Sequence, residues 1–245
     1  MEDKKQIKIN LKMLIFLFSI LAIMLISLII IIVNNINTEY FPIENCNVMN
    51  ETGLITVYKP IIYLYPEKET QIVVKLGYPN NITCSYPLYT NGWKVLANNN
   101  GNLIDLETNR NLYALYYENK PAIEFKIKNE GFVVKSEDTI QFLEEKLEIL
   151  GLTQKEAEEF IIYWLPKLQE NKYNYIRFAT MEEINQNMPL NITPNADSTI
   201  RILMTYKGLE EPIRVDEQKL VTPKRQGFVA VEWRWNSNKI KLHSK

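Results

Sequence analysis

The chain has 245 residues, 28 of them basic and 29 acidic, with 46% hydrophobic and 23% charged positions. A formal net charge of −1 and an isoelectric point near 6.0 exclude a broadly basic nucleic-acid binder. One histidine and two cysteines exclude a zinc finger, a cysteine-rich scaffold and a metal centre built on several histidines.

In chain order, the first feature is Met13 to Val33, an apolar run without a charge. As a helix it spans about 31 Å, the thickness of a bilayer's hydrocarbon core. Being apolar all round, it reads as a transmembrane anchor rather than a core helix, and Ser19 and Ser27 are able to bond back to the preceding turn. It is too long for the apolar region of a cleaved signal, and Asn34, Asn35, Ile36 and Asn37 follow it instead of small residues. Lys4, Lys5, Lys8 and Lys12 precede the span, whereas Glu39, Glu44 and Glu51 follow it before the first basic residue, Lys59. This asymmetry predicts residues 1–12 as a cytoplasmic tail and the C-terminal part on the extracytoplasmic side of a cell membrane. The lipid bilayer is therefore a predicted partner through residues 13–33. Four of the 28 basic residues and two of the 29 acidic ones lie in that tail, leaving 24 and 27 beyond it. A domain so near neutrality is not built to grip nucleic acid through bulk charge.

Residues 34–53 read as a stalk, and 54–135 as a β-rich region. Strand patterns cover Leu54–Tyr58, Ile61–Tyr65, Gln71–Leu76, Ile82–Tyr86, Trp93–Ala97, Leu112–Tyr117, Ala122–Ile127 and Phe132–Lys135, separated by Pro, Gly and Asn. Alternation puts Ile72, Val74 and Leu76 on one face, and Asn98-Asn99-Asn100-Gly101 signals a turn. A helical hairpin is expected over 136–171. Ser136 offers an N-cap and Gly151 a stop for the first helix, and Thr153-x-x-Glu156 is a capping box for the second. Ala157, Phe160, Ile161, Trp164, Leu165 and Leu168 form an apolar stripe opposite Lys155, Glu158 and Glu159, and Pro166 predicts a kink or end near Trp164. Residues 172–245 read as a second β-rich region, with strands at Tyr173–Ala179, Ile200–Tyr206, Pro212–Val215 and Phe228–Trp235 and a loop from Met188 to Asn195. The fold class is α+β: an N-terminal transmembrane helix followed by a β-rich exported domain with a central two-helix hairpin.

The segment Lys59-Pro60-Ile61-Ile62-Tyr63-Leu64-Tyr65-Pro66-Glu67, together with Thr83-Cys84-Ser85-Tyr86-Pro87, Gly92-Trp93, Glu159-Phe160-Ile161-Ile162-Tyr163-Trp164-Leu165-Pro166 and Gly227-Phe228-Val229-Ala230-Val231-Glu232-Trp233, resembles a family of bacterial membrane-anchored or exported proteins sharing a K-P-x-I-Y-L-Y-P-E motif. The family carries no assigned activity, so the resemblance implies export and a shared fold. In that family a Gly-rich continuation is expected after Glu232-Trp233, where this chain has Arg234-Trp235-Asn236.

Candidate ligand-contacting residues are Tyr63, Tyr65, Glu67, Tyr86 and Trp93, because aromatic faces with polar tips suit sugar or peptide recognition. Alternation alone puts Ile61, Tyr63 and Tyr65 on one strand face, so the same residues also suit cross-strand packing. The acidic groups Glu67 with Glu69, Glu156 with Glu158 and Glu159, and Glu182 with Glu183 are the options for a glycosidase pair, and their pattern places them in solvated positions. The lone His243 lies at the chain end, no nucleotide loop is present, and no catalytic residue, cofactor or metal is expected. Cys46 and Cys84 both fall on the exported side and predict a disulfide. The leading expectation is a non-catalytic domain binding an envelope ligand or a partner protein; the alternatives are a cell-wall hydrolase using paired carboxylates and a structural or sensory subunit of a membrane complex.

Overall fold

The computed structural model describes residues 60–119 and 128–237, together with residues 20, 21 and 24–27. The chain divides into two units, Met1–Asn47 and Val48–Lys245. In the first, the six described residues are helical, and the Ser27 hydroxyl donates to the Met24 carbonyl at 2.9 Å, the back-bond expected of it. Among the described residues no helix is long and apolar enough to cross a membrane. The rest of the span expected over 13–33 lies outside the described residues, as do the tail, the stalk, Cys46, His243 and the strands expected over 54–58 and 122–127.

The second unit is α+β and rich in strands. Its strands are β1 (Ile61–Tyr65), β2 (Thr70–Leu76), β3 (Ile82–Tyr86), β4 (Trp93–Ala97), β5 (Leu103–Asp105), β6 (Asn111–Leu112), β7 (Leu115–Asn119), β8 (Glu130–Lys135), β9 (Tyr173–Phe178), β10 (Leu190–Thr193), β11 (Ser198–Leu209), β12 (Asp216–Glu217) and β13 (Val229–Ser237). Its helices are α1 (Thr139–Ile149), α2 (Gln154–Leu168) and α3 (Met181–Asn187). An eight-stranded sheet runs β12-β8-β9-β11-β13-β1-β7-β3, and a five-stranded sheet runs β10-β2-β4-β5-β6. Pairing is antiparallel except for β11 with β13 and β12 with β8.

The large sheet is buried on both faces because its central strands are apolar at successive positions. In β1, Ile62 and Leu64 enter a core shared with Ile72, Val74, Trp93 and Val95 of the small sheet. Tyr63 points the other way, into a core closed by Phe160, Trp164 and Leu168 of α2 and Leu143 and Leu147 of α1. A third, small cluster joins Ile184 and Met188 to Leu203 under α3.

Several local expectations change. The first helix starts at Thr139 without a side-chain cap; Ser136 to Asp138 form a 3-10 turn, and the Ser136 hydroxyl instead donates to the Asn171 carbonyl. Gly151 stops α1 at φ +86°, its N–H bonding the Glu148 carbonyl and Leu152 that of Leu147, which is a Schellman closure. The capping box of α2 forms, but the helix runs through Pro166 to Leu168. Phe160, Trp164 and Leu168 are all fully buried on one face, and that packing outweighs the one bond lost at proline. Pro212–Val215 is not a strand, and β12 begins just after it. The run Leu112–Tyr117 breaks at Tyr113 and Ala114 into β6 and β7. The loop expected at Met188–Asn195 contains β10, and α3 arises from a second capping box, Thr180 with Glu183. The strand expected over Phe228–Trp235 runs as β13 from Val229 to Ser237.

Candidate functional site

β1 presents Tyr63 and Tyr65 to the helical side of the large sheet, next to the N-terminal half of α2. On α2, Glu156, Glu159 and Tyr163 are spaced three and four apart and so share one flank of the helix. The Tyr63 hydroxyl donates to Glu159 Oε2 at 2.7 Å and accepts from Trp233 Nε1 at 3.2 Å. The Tyr63 and Tyr65 rings lie near-parallel with centroids 6.4 Å apart, and Tyr113 stands 6.5 Å from Tyr63. Glu156 is fully buried: one oxygen accepts the Thr153 N–H at 2.7 Å, and Arg225 donates to both oxygens at 3.0 and 3.2 Å. The Arg225 guanidinium also lies 5.5 Å from the Tyr65 ring centroid, and Lys155 Nζ lies 5.3 Å from that of Tyr113. On β7, the Tyr116 hydroxyl donates to Glu118.

These contacts form an aromatic, acidic patch along β1, the Tyr113 corner, β7 and the flank of α2. Tyr63 is buried and Tyr65 partly so, while Tyr113 is 52% exposed, giving one wet end. Burial, reinforced by Glu159, pushes the Tyr63 hydroxyl far above its ordinary pKa. Burial and Glu156 do the same for Tyr65, and burial and Glu118 for Tyr116. A raised pKa favours the neutral phenol, and Tyr63 and Tyr116 accordingly act as hydrogen-bond donors to Glu159 and Glu118. Glu156 is consumed by Arg225, but Glu159 and Glu118 enter no ion pair among the described residues. The patch thus combines ring faces with carboxylates that meet no cation among the described residues, an arrangement suited to holding an ammonium or guanidinium group.

Of the residues expected to contact a ligand, the structure brings only Tyr63 and Tyr65 together. Glu67 is exposed beyond the end of β1, and Tyr86 is 50% exposed on β3 at the sheet edge. Trp93 is buried in the core between the sheets, its Nε1 donating to the Pro87 carbonyl at 2.8 Å and Tyr89 meeting its ring edge-on. Two expectations about acids are corrected. Glu156 is not solvated, since the capping box turns its side chain back toward the helix start, where Arg225 meets it. Glu159 is partly buried, because its helix flank faces β1 rather than water. Tyr113 and Arg225 carried no sequence signal: one sits at a break between short strands, the other in a loop. Among the described residues no group of three or more His, Cys, Asp or Glu is placed to hold a metal ion.

Comparison with protein-family models, with curated proteins and with solved structures finds no match to this chain.

Proposed function

We propose that this protein is anchored in a cell membrane by residues 13–33 and presents its C-terminal domain outside, where the patch around Tyr63, Tyr65, Tyr113 and Glu159 binds a cationic group of an envelope ligand or partner protein. The observation that carries the binding reading is Glu159, a carboxylate held among tyrosine rings that enters no ion pair among the described residues. Two neighbouring ring faces already hold cations from within the chain, Arg225 at Tyr65 and Lys155 at Tyr113. The acids argue for binding over hydrolysis: Glu67 is exposed, and both oxygens of Glu156 are occupied by structural donors. A disulfide between Cys46 and Cys84 belongs to the same reading of an exported domain; Cys84 lies on β3 and is not a free thiol.

The test is calorimetric titration of the full chain in detergent with a tetralysine peptide and with its fully acetylated form. The unmodified peptide is expected to bind about tenfold tighter, and Glu159→Gln to remove most of that difference. Equal affinity for the two peptides, or an unaffected Glu159→Gln variant, overturns the reading.

A further inference from the structure

A second site lies on the opposite face of the large sheet. Arg201 on β11 is 6% exposed, yet it lines a cleft of about 550 Å³ between α3, β10 and β11. Its Nε donates to Glu232 Oε2 at 2.6 Å, one η nitrogen to Asn185 Oδ1 at 2.8 Å and the other to the Met188 carbonyl at 2.7 Å. A guanidinium has five N–H donors. Three are used here, leaving two that find no acceptor among the described residues. Glu232 does not belong to Arg201 alone, because its other oxygen accepts from Arg234 Nε at 2.9 Å and from the Tyr117 hydroxyl at 2.7 Å.

The walls of the cleft match this charge. Besides Arg201, its polar lining is Asn185, Asn191, Thr193, Asn195 and Thr199; the remaining lining residues are apolar, and no acidic side chain is among them. Amides and hydroxyls around one buried cation form a set of neutral donors and acceptors about a single positive charge. A buried charge with unused donors is costly unless an acceptor meets it. Its volume falls in the range of small-molecule sites.

We propose that this cleft binds a small ligand through a carboxylate seated on Arg201, with the amides and hydroxyls of Asn185, Asn191, Thr193, Asn195 and Thr199 meeting a polar frame. A carboxylate fits better than a phosphate, since one guanidinium supplies one positive charge and a planar fork of N–H groups complements a planar anion. The cleft is separate from the tyrosine patch, so the two sites stand or fall independently.

The full chain in detergent is titrated with glucuronate, N-acetylmuramate and N-acetylalanine, each against its neutral counterpart: glucose, N-acetylglucosamine and N-acetylalaninamide. At least one carboxylate is expected to bind about tenfold or more tightly than its counterpart. Arg201→Gln is expected to abolish that preference. Because Arg201 also holds Glu232, Thr199→Asp is the second variant: Thr199 is exposed on the cleft wall, so the new carboxylate opposes an anion without disturbing the buried pair. It is expected to weaken the carboxylate at least tenfold while leaving the melting temperature near that of the wild type. The proposal is overturned if no carboxylate outbinds its neutral counterpart, if Thr199→Asp leaves binding unchanged, or if inorganic phosphate binds more tightly than every carboxylate.

Discussion

Tyr63 is fixed by two polar contacts and a ring stack, so a single oxygen links β1, α2 and β13. Tyr63→Phe keeps the ring and deletes that oxygen, leaving the Trp233 N–H buried without it. A loss of about 1–3 kcal/mol in unfolding free energy is expected, read from urea midpoints, with little change in the m-value. Glu183 provides a pH-dependent counterpart elsewhere. Burial works against its charged form, but Lys128, the Thr180 N–H and Arg177 outweigh burial and hold its carboxyl at about 2. With a folded value below the ordinary 4.5, its contribution is complete above that ordinary value and is lost as pH falls toward 2. Glu183→Gln keeps a side chain suited to the capping box and removes the charge. The variant is expected to be about 1–3 kcal/mol less stable at pH 6, and the gap should shrink between pH 4.5 and 2 in parallel thermal melts. A gap independent of pH contradicts this account.

The α1–α2 hairpin owes its geometry to one residue. Gly151 adopts φ +86°, and a Cβ there would lie 2.6 Å from Pro223 Cγ, in the same loop that carries Arg225 to Glu156. The turn that ends α1 therefore also seats the loop that neutralises the buried acid of α2. Gly151→Ala is expected to cost about 1–2 kcal/mol from the left-handed backbone alone, and more if Pro223 is unable to retreat. Its specific signature is weakened packing of Arg225, visible as increased amide hydrogen exchange over residues 224–227. Gly101 makes a similar demand in the β4–β5 turn, where φ is +79° and a Cβ would meet Tyr65 Cε1 at 2.5 Å. The Asn98 side chain completes that turn, accepting from the Asn100 and Asn102 amides.

For the whole molecule, the lysine asymmetry around residues 13–33 predicts the outcome of surface proteolysis. A protease added to intact cells is expected to remove the C-terminal domain and leave a short protected N-terminal fragment; a C-terminal tag protected until the membrane is broken reverses the orientation. The proposed Cys46–Cys84 bridge closes a loop of about 38 residues and is worth up to roughly 4 kcal/mol through chain entropy. Non-reducing peptide mapping of the protein purified from membranes should recover the linked pair. Recovery of both cysteines as alkylated thiols rules the bridge out.

What the sequence determined is local. Ile61–Tyr65, Ile82–Tyr86 and Trp93–Ala97 are strands with the predicted bounds, because β-branched and aromatic runs between Pro, Gly and Asn leave few other conformations. Thr153 and Glu156 start α2 as predicted, since a capping box is satisfied within one turn. Ile72, Val74 and Leu76 share a buried face for the same local reason, the two-residue period of a strand. Tertiary structure decided everything that joins distant segments. A helical wheel placed Glu159 with Glu158 in solvent, but the docking of α2 on β1 turned it to Tyr63, 96 positions away. Trp93 and Tyr63 read alike as strand aromatics, yet they lie in different cores: Trp93 faces the core between the sheets that Ile62 and Leu64 of β1 also enter, whereas Tyr63 projects from the opposite face of β1 toward the helices. Glu232 meets Arg234 two positions along its own strand, but its ion pair with Arg201 exists only because β11 and β13 pair in parallel, in the register Arg201 with Glu232. Charge compensation across strands depends on pairing partner and register, and neither is encoded within the reach of a single turn or strand.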